Sequence, residues 1–141
     1  MVIPTYGRTQ YLAGCLESIS VQTIKPQDIF VIDNNTSPSS QRIVEDTVES
    51  CSANGINFVY KKGSINSGAV ARNLGASLVS TELVAFLDDD VLVDCDYYEN
   101  VLDVFEADDQ VVGVQGVDRD FVEAYKANIS GSYLQRLFLF I

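Results

Sequence analysis

Short apolar runs alternate along this chain with segments whose apolar residues recur every three or four positions. The runs Met1 to Thr5, Asp28 to Asp33, Ile56 to Tyr60, Glu82 to Leu87 and Val111 to Val114 have the length and β-branched content of buried strands. The segments between them read as helices. Leu12, Leu16 and Ile19 share one face behind Thr9, which is placed to cap. Ile43, Val44, Val48 and Cys51 form a stripe behind Ser37-Pro38, a cap followed by proline at the first helical position. Val70, Leu74 and Leu78 line up within Ala69 to Val79, and Tyr97 or Tyr98, Val101, Leu102 and Phe105 mark a further helix. Strand and helix alternating at this spacing predict an α/β fold, with a mostly parallel sheet and helices on both faces. Ligands in such sheets bind beyond the carboxyl ends of the strands. Three polar clusters follow strand ends: Thr5-Tyr6-Gly7-Arg8, Asp33-Asn34-Asn35 and Asp88-Asp89-Asp90. They are expected on one edge of the sheet, around one crevice.

The acid cluster Asp88-Asp89-Asp90 carries the chemistry. Adjacent carboxylates repel, so holding them together needs a compensating charge. A hard divalent cation, Mg²⁺ or Mn²⁺, is the compensation that suits oxygen ligands shared with substrate phosphates. The competing reading is an exposed acidic turn ahead of a helix N-terminus. Composition narrows the rest. With 20 acidic and 9 basic residues the formal net charge is -11, which opposes sequence-independent nucleic-acid binding. The chain has no histidine, and its cysteines, Cys15, Cys51 and Cys95, are scattered on expected helices. A zinc site is therefore excluded and reduced, packed thiols are expected. No 18-residue apolar stretch or signal peptide is present, so the expected location is cytoplasmic, extending to the inner face of a membrane. The bare apolar run Leu137 to Ile141 suggests a chain truncated at its C-terminus.

Four stretches together are specific. Val2-Ile3-Pro4-Thr5-Tyr6-Gly7-Arg8 resembles the opening VIPTYNR motif of family 2 inverting glycosyltransferases, with Gly7 where asparagine is usual. Val31-Ile32-Asp33-Asn34-Asn35-Thr36-Ser37 resembles that family's second-strand motif. Asn66 to Gly75 resembles its NxGxxxARNxG stretch, and Phe86-Leu87-Asp88-Asp89-Asp90 its DxD. The resemblance covers most of residues 1–118 and implies the GT-A (Rossmann-like) fold. Residues 1–117 would form a nucleotide-sugar-binding domain, and 118–141 an incomplete start of the acceptor side.

The resemblance also implies roles. Pro4, Thr5 and Tyr6 line the base and ribose pocket, with Tyr6 able to stack. Asp33 accepts from a nucleobase N–H, for which a uracil ring is well matched, or else closes an Asx turn or helix cap while Asn34 or Asn35 turns the chain. Arg72 meets the diphosphate, or pairs structurally with Asp33 or Asp88. Asn66 belongs to the donor-binding set, although it, Gly68 and Gly75 also suit turns and close packing. Asp90 is the preferred metal ligand, with Asp88 as a second ligand or, like Asp89, a contact to ribose or to the cation's water shell. Arg8 is the member with least support. The partners implied are a UDP-type nucleotide-diphospho-sugar and an acceptor glycan or lipid-linked saccharide, with peripheral membrane association and no nucleic acid. The reaction is sugar transfer to a hydroxyl with inversion, in the building of surface polysaccharide. The general base is expected beyond Ile141, because Asp118, Asp120 and Glu123 follow the fifth strand too closely. Two alternatives stand beside this: a truncated non-catalytic nucleotide-binding module, and a haloacid-dehalogenase phosphatase in which Asp88 is the nucleophile.

Overall fold

A computed structural model describes residues 1–35, 37–51 and 55–118; the side chain of Cys51 and the run Leu137 to Ile141 lie outside the described residues. The chain divides into two compact units, Met1–Tyr98 and Glu99–Ile141. The first holds a parallel sheet of β1 (Val2–Thr5), β2 (Asp28–Asp33) and β3 (Asn57–Lys62) in the order β1-β2-β3. Between them run α1 (Thr9–Ser20) and α2 (Pro38–Cys51), and α3 (Gly68–Ala76) follows β3. A fourth helix, α4 (Tyr97–Ala107), begins at the end of the first unit.

Period-2 alternation along the strands divides the core. Ile3, Ile29 and Val31 point to one face and pack with Leu12, Cys15, Leu16 and Ile19 of α1 and Val44 and Val48 of α2. Val2, Phe30 and Ile32 point to the other face and pack with Ala71 and Leu74 of α3. Both faces are covered, as the continuous apolar strands require.

Several expectations change. Arg8, not Thr9, holds the cap position of α1, and its carbonyl accepts from the Tyr11 and Leu12 N–H groups. Ile43 is exposed, and among the described side chains the buried members of the α2 stripe are Val44 and Val48. Val70 is exposed as well; Leu74 and Leu78 pack partly buried against the sheet as expected, and the buried positions of α3 are Ala71 and Gly75. Small residues are needed there because α3 lies close over β1: a Cβ on Gly75 would sit 2.2 Å from Val2 Cγ1 and 3.1 Å from its Cβ. Gly75→Ala is expected to lower the unfolding free energy by about 1–3 kcal/mol. An unchanged urea midpoint would show that α3 has room to spare.

The expected fourth strand is reduced to one parallel bridge, Val2 with Phe86. The Val2 N–H donates to Ala85 and its carbonyl accepts from Leu87. The next N–H on this edge of β1 belongs to position 4, which is Pro4, so the ladder ends there. The expected fifth strand at Val111 to Val114 is irregular backbone with Val112 93% exposed. An apolar run becomes a strand only when an edge pairs with it. Cys95 lies exposed on a turn before α4, whereas Cys15 is buried on α1 as expected.

Candidate functional site

Although short, the Val2–Phe86 bridge fixes the site. It places the 85–87 segment on the side of β1 away from β2, so the chain runs outward through β1, β2 and β3 and then returns past β1. The reversal point lies between the carboxyl ends of β1 and the 85–87 segment, where open α/β sheets bind ligands. The loops that meet there are Tyr6 to Arg8 and Asp88 to Asp90.

Gly7 makes the first loop turn. Its φ is +67°, a left-handed conformation that glycine adopts freely and asparagine tolerates best among the others. That accounts for a Gly where the resembling motif carries Asn. The turn leads into Arg8 at the head of α1 and sends its side chain back over the acids. Arg8 Nη2 donates to Asp89 Oδ1 at 2.6 Å and Nη1 to Asp90 Oδ2 at 2.7 Å. The second oxygen of Asp89 accepts from the Thr5 hydroxyl at 2.6 Å. Asp89 is fully buried, whereas the side chains of Asp88 and Asp90 are 52% and 42% exposed. Arg72, one turn into α3, pairs with Asp88. Its helix begins at Ser67, whose hydroxyl caps the Val70 N–H.

The acids are thus held by two guanidinium groups. The middle acid faces inward and the outer two face the crevice. Their combined field reaches Cys15, whose buried thiol is pushed up to about 12 by burial first and then by Asp89, Asp90 and Asp88. It stays protonated and points at the Asp88 carbonyl at 3.6 Å. The segment after the acids is stitched to the end of α1: Gln22 donates to the Ser18 and Asp94 carbonyls and accepts from the Tyr98 N–H.

Thr5 and Asp33 are register partners, so Asp33 stands one strand further along the same edge. It is fully buried. Its Oδ1 accepts from the Asn35 N–H at 2.8 Å, closing an Asx turn, and its Oδ2 accepts from the Tyr60 hydroxyl at 3.3 Å. Asn35 makes the next turn by accepting from the Ser37 N–H, while Asn34 is buried and ties β2 to the loop before α3 through the Ser67 carbonyl. Burial pushes the Asp33 carboxyl up, with the Asn35 and Tyr60 hydrogen bonds and the Lys62 charge opposing. Pro4 and Thr5 are buried, Tyr6 is half exposed and Asn66 is exposed in the loop between β3 and α3.

The structure therefore brings Thr5, Arg8, Arg72 and all three acids into direct contact. It ties Asp33 to them through the strand register alone, and among the described residues no hydrogen bond or ion pair joins Tyr6 or Asn66 to them. Two participants had little or no signal in the sequence. Tyr60 reads there only as a strand residue, and Arg8 only as a motif position.

The outer acids are the ones with an oxygen to offer a divalent cation. Asp88 and Asp90 each face the crevice, and each has one oxygen on an arginine and the other without a partner among the described residues. One or two carboxylates completed by phosphate oxygens and water is the usual Mg²⁺ arrangement. Among the described residues, no three acidic or cysteine side chains form a ready-made cage.

The chain matches the family described as Glycosyl transferase family 2 across residues 1–139. It is 35% identical over 107 residues to validoxylamine A glucosyltransferase of Streptomyces hygroscopicus subsp. limoneus, covering 72% of this chain and 22% of that protein. It is 30% identical over 124 residues to the minor teichoic acid biosynthesis protein GgaB of Bacillus subtilis (strain 168), covering 87% of this chain and 14% of the other. Among solved structures, residues 1–349 of S. aureus TarS in complex with UDP superpose with a TM-score of 0.63 at 21% identity, covering 84% of this chain and 37% of that one. That likeness speaks to the fold, and it agrees with the GT-A arrangement of sheet and helices. The chain thus spans 22% of the length of the glucosyltransferase and 14% of that of GgaB. From the match across nearly all its length, this chain belongs to glycosyl transferase family 2.

Proposed function

We propose that the crevice binds a nucleotide-diphospho-sugar, of UDP type, and that the whole protein transfers its sugar to an acceptor hydroxyl with inversion. The observation that carries this is the convergence of two arginines and two outward carboxylates at the reversal point of the sheet. A diphosphate needs both kinds of group: guanidinium forks for its oxygens, and carboxylates to hold the cation that neutralises the remainder. Asp88 and Asp90 would hold Mg²⁺ or Mn²⁺. Such an ion, when bound, offsets the charge that develops on the diphosphate as the sugar leaves. Arg72 orients the diphosphate, and Tyr6 offers its exposed ring to the base. Asp33 accepts from a base N–H by exchanging the Tyr60 hydroxyl, the longer of its two hydrogen bonds, for the ligand. Asp89, with both oxygens engaged inside the fold, acts by holding Arg8 and Thr5 rather than by touching ligand.

The acceptor's general base is assigned to the part of the fold beyond Ile141, in keeping with the small share of its relatives that this chain spans. GgaB, by its description, serves teichoic acid biosynthesis. An envelope polysaccharide or a lipid-linked saccharide is the acceptor class we propose, with the protein working at the cytoplasmic face. No helix of the described residues is long and apolar enough to cross a membrane. A haloacid-dehalogenase phosphatase is set aside, because its reaction leaves the family match and the three other motifs without a purpose.

Calorimetry with UDP, with and without Mn²⁺, tests the reading: binding that strengthens with the ion supports it, and no heat in either case removes it. Asp33 supplies a sharper test. A buried acid whose pKa is raised on folding adds stability only below its unfolded pKa, and that contribution is lost as pH rises through the folded value. At neutral pH its charge therefore disfavours the fold. Asp33→Asn is expected to raise Tm by roughly 2–5 °C while weakening UDP binding about 10- to 100-fold. UDP affinity of the unaltered chain should fall on acidification at a pH above the ordinary carboxylate range. Unchanged UDP binding in Asp33→Asn would remove this residue from the base pocket.

A further inference from the structure

Arg8 is the residue whose geometry is least used by the reading above. Its guanidinium is divided between two acids of different kinds. Nη2 is committed to Asp89, a fully buried carboxylate whose other oxygen is filled by Thr5. That arm cannot leave without stranding a charge inside the fold. Nη1 lies on Asp90, a carboxylate 42% exposed at the crevice, and the Arg8 side chain is itself half exposed. An exposed pair of this kind is weak and exchangeable. One arm is an anchor and the other is free to change partners.

We infer that Arg8 is a diphosphate-binding residue that shields Asp90 until the donor arrives. This rests on the donor-site reading. In the free protein Nη1 occupies Asp90 Oδ2, one of the oxygens a cation needs. When a diphosphate enters, Nη1 passes from Asp90 to a phosphate oxygen, while Nη2 stays on Asp89. Asp90 then has both oxygens available. Arg72 and Asp88 repeat the arrangement on the α3 side, with an exposed guanidinium covering an exposed carboxylate. The exchange is favourable because guanidinium and diphosphate form a charge-assisted fork, and because the carboxylate it leaves gains the cation. Each ligand thereby prepares the other's site, and the coupling must be reciprocal. A cation alone meets an acid already paired and binds weakly.

The test uses the full chain with Mn²⁺, UDP and uridine as separate probes. The double variant Arg8→Gln, Asp89→Asn removes the arm without stranding a buried charge, since the two amides can still hydrogen-bond each other and Thr5. Its Mn²⁺ affinity without nucleotide, read from the free-ion electron paramagnetic resonance signal, is expected to rise about fivefold, the scale of one exposed ion pair. Its UDP affinity is expected to fall about tenfold, with uridine affinity unchanged, and the mutual strengthening of Mn²⁺ and UDP to shrink by a similar factor. Arg8→Lys keeps a charge for Asp89 without the fork and should show the same directions, which covers failure of the double variant to fold. If Mn²⁺ alone binds a folded variant as it binds the parent, Arg8 is a structural latch and the inference is overturned. A parent chain that binds Mn²⁺ but neither uridine nor UDP would instead overturn the donor-site reading.

Discussion

Asp89→Ala is expected to cost about 3–5 kcal/mol of folding stability, whereas Asp88→Ala and Asp90→Ala are expected to move it by about 0.5 kcal/mol or less. The acids are neighbours in sequence and carry the same charge, yet their surroundings differ. Asp89 has no exposed surface and two short hydrogen bonds, one to a buried threonine and one to a guanidinium. Truncating it opens a void, leaves the Thr5 hydroxyl inside without an acceptor and releases Arg8 from the loop that starts α1. The outer acids are exposed, and each faces an arginine that is itself solvated, so losing either pair changes little. Asp89→Asn keeps the shape and an acceptor for Thr5 and should recover most of the loss, leaving a deficit of about 1–2 kcal/mol. Urea unfolding of the four variants in parallel decides the matter. Equal midpoints for Asp88→Ala and Asp89→Ala would mean that the inward placement of the middle acid does not hold in solution.

That division among adjacent acids marks where the sequence stops being legible. The sheet and three of its strands were readable because Val2, Ile3, Ile29, Phe30, Val31 and Ile32 are apolar on both strand faces, a pattern that only two covered faces explain. The shared edge of Thr5, Asp33 and the acid cluster followed from strand polarity. The extent of the fourth strand did not, because it depends on which neighbour Pro4 fails to serve, and that needs the strand order. Nor did the burial of Asp89. Three identical letters carry no phase, and the one that turns inward is chosen by the turn that brings Asp89 against the Thr5 hydroxyl. The compensating charge was read as a cation, with Arg72 as one candidate partner of Asp88, but not as Arg8. Arg8 lies 81 residues from Asp89, and only the closure of the sheet brings them together. Of the expected stripe at Val70, Leu74 and Leu78 the latter two pack on the core and Val70 does not, since small residues, Ala71 and Gly75, mark the contact where the helix lies closest to a strand.

Asp88→Ala and Asp90→Ala are each expected to abolish the Mn²⁺-dependent part of UDP binding, a loss on the order of a hundredfold, while leaving the fold intact. Both carboxylates face the crevice, and each has an oxygen without a partner among the described residues. Removing either leaves a single protein carboxylate, which is at the lower limit of what Mg²⁺ or Mn²⁺ takes beside phosphate oxygens and water. The two variants should differ in the absence of the ion. Asp90→Ala frees Nη1 of Arg8, and Asp88→Ala frees the guanidinium of Arg72, so each leaves one arginine with a charge available to the diphosphate. Metal-free UDP affinity is therefore expected to rise a few-fold in both, by about the strength of an exposed ion pair. Of the two, Arg8 should gain less, because Asp89 still holds its other arm. Calorimetric titration of UDP with and without Mn²⁺ reads both effects at once. A variant that binds UDP more tightly without the ion and no longer responds to it would show that arginines and carboxylates share one ligand. If Mn²⁺ dependence survives in both and disappears only in Asp89→Asn, the acids have been assigned the wrong way round.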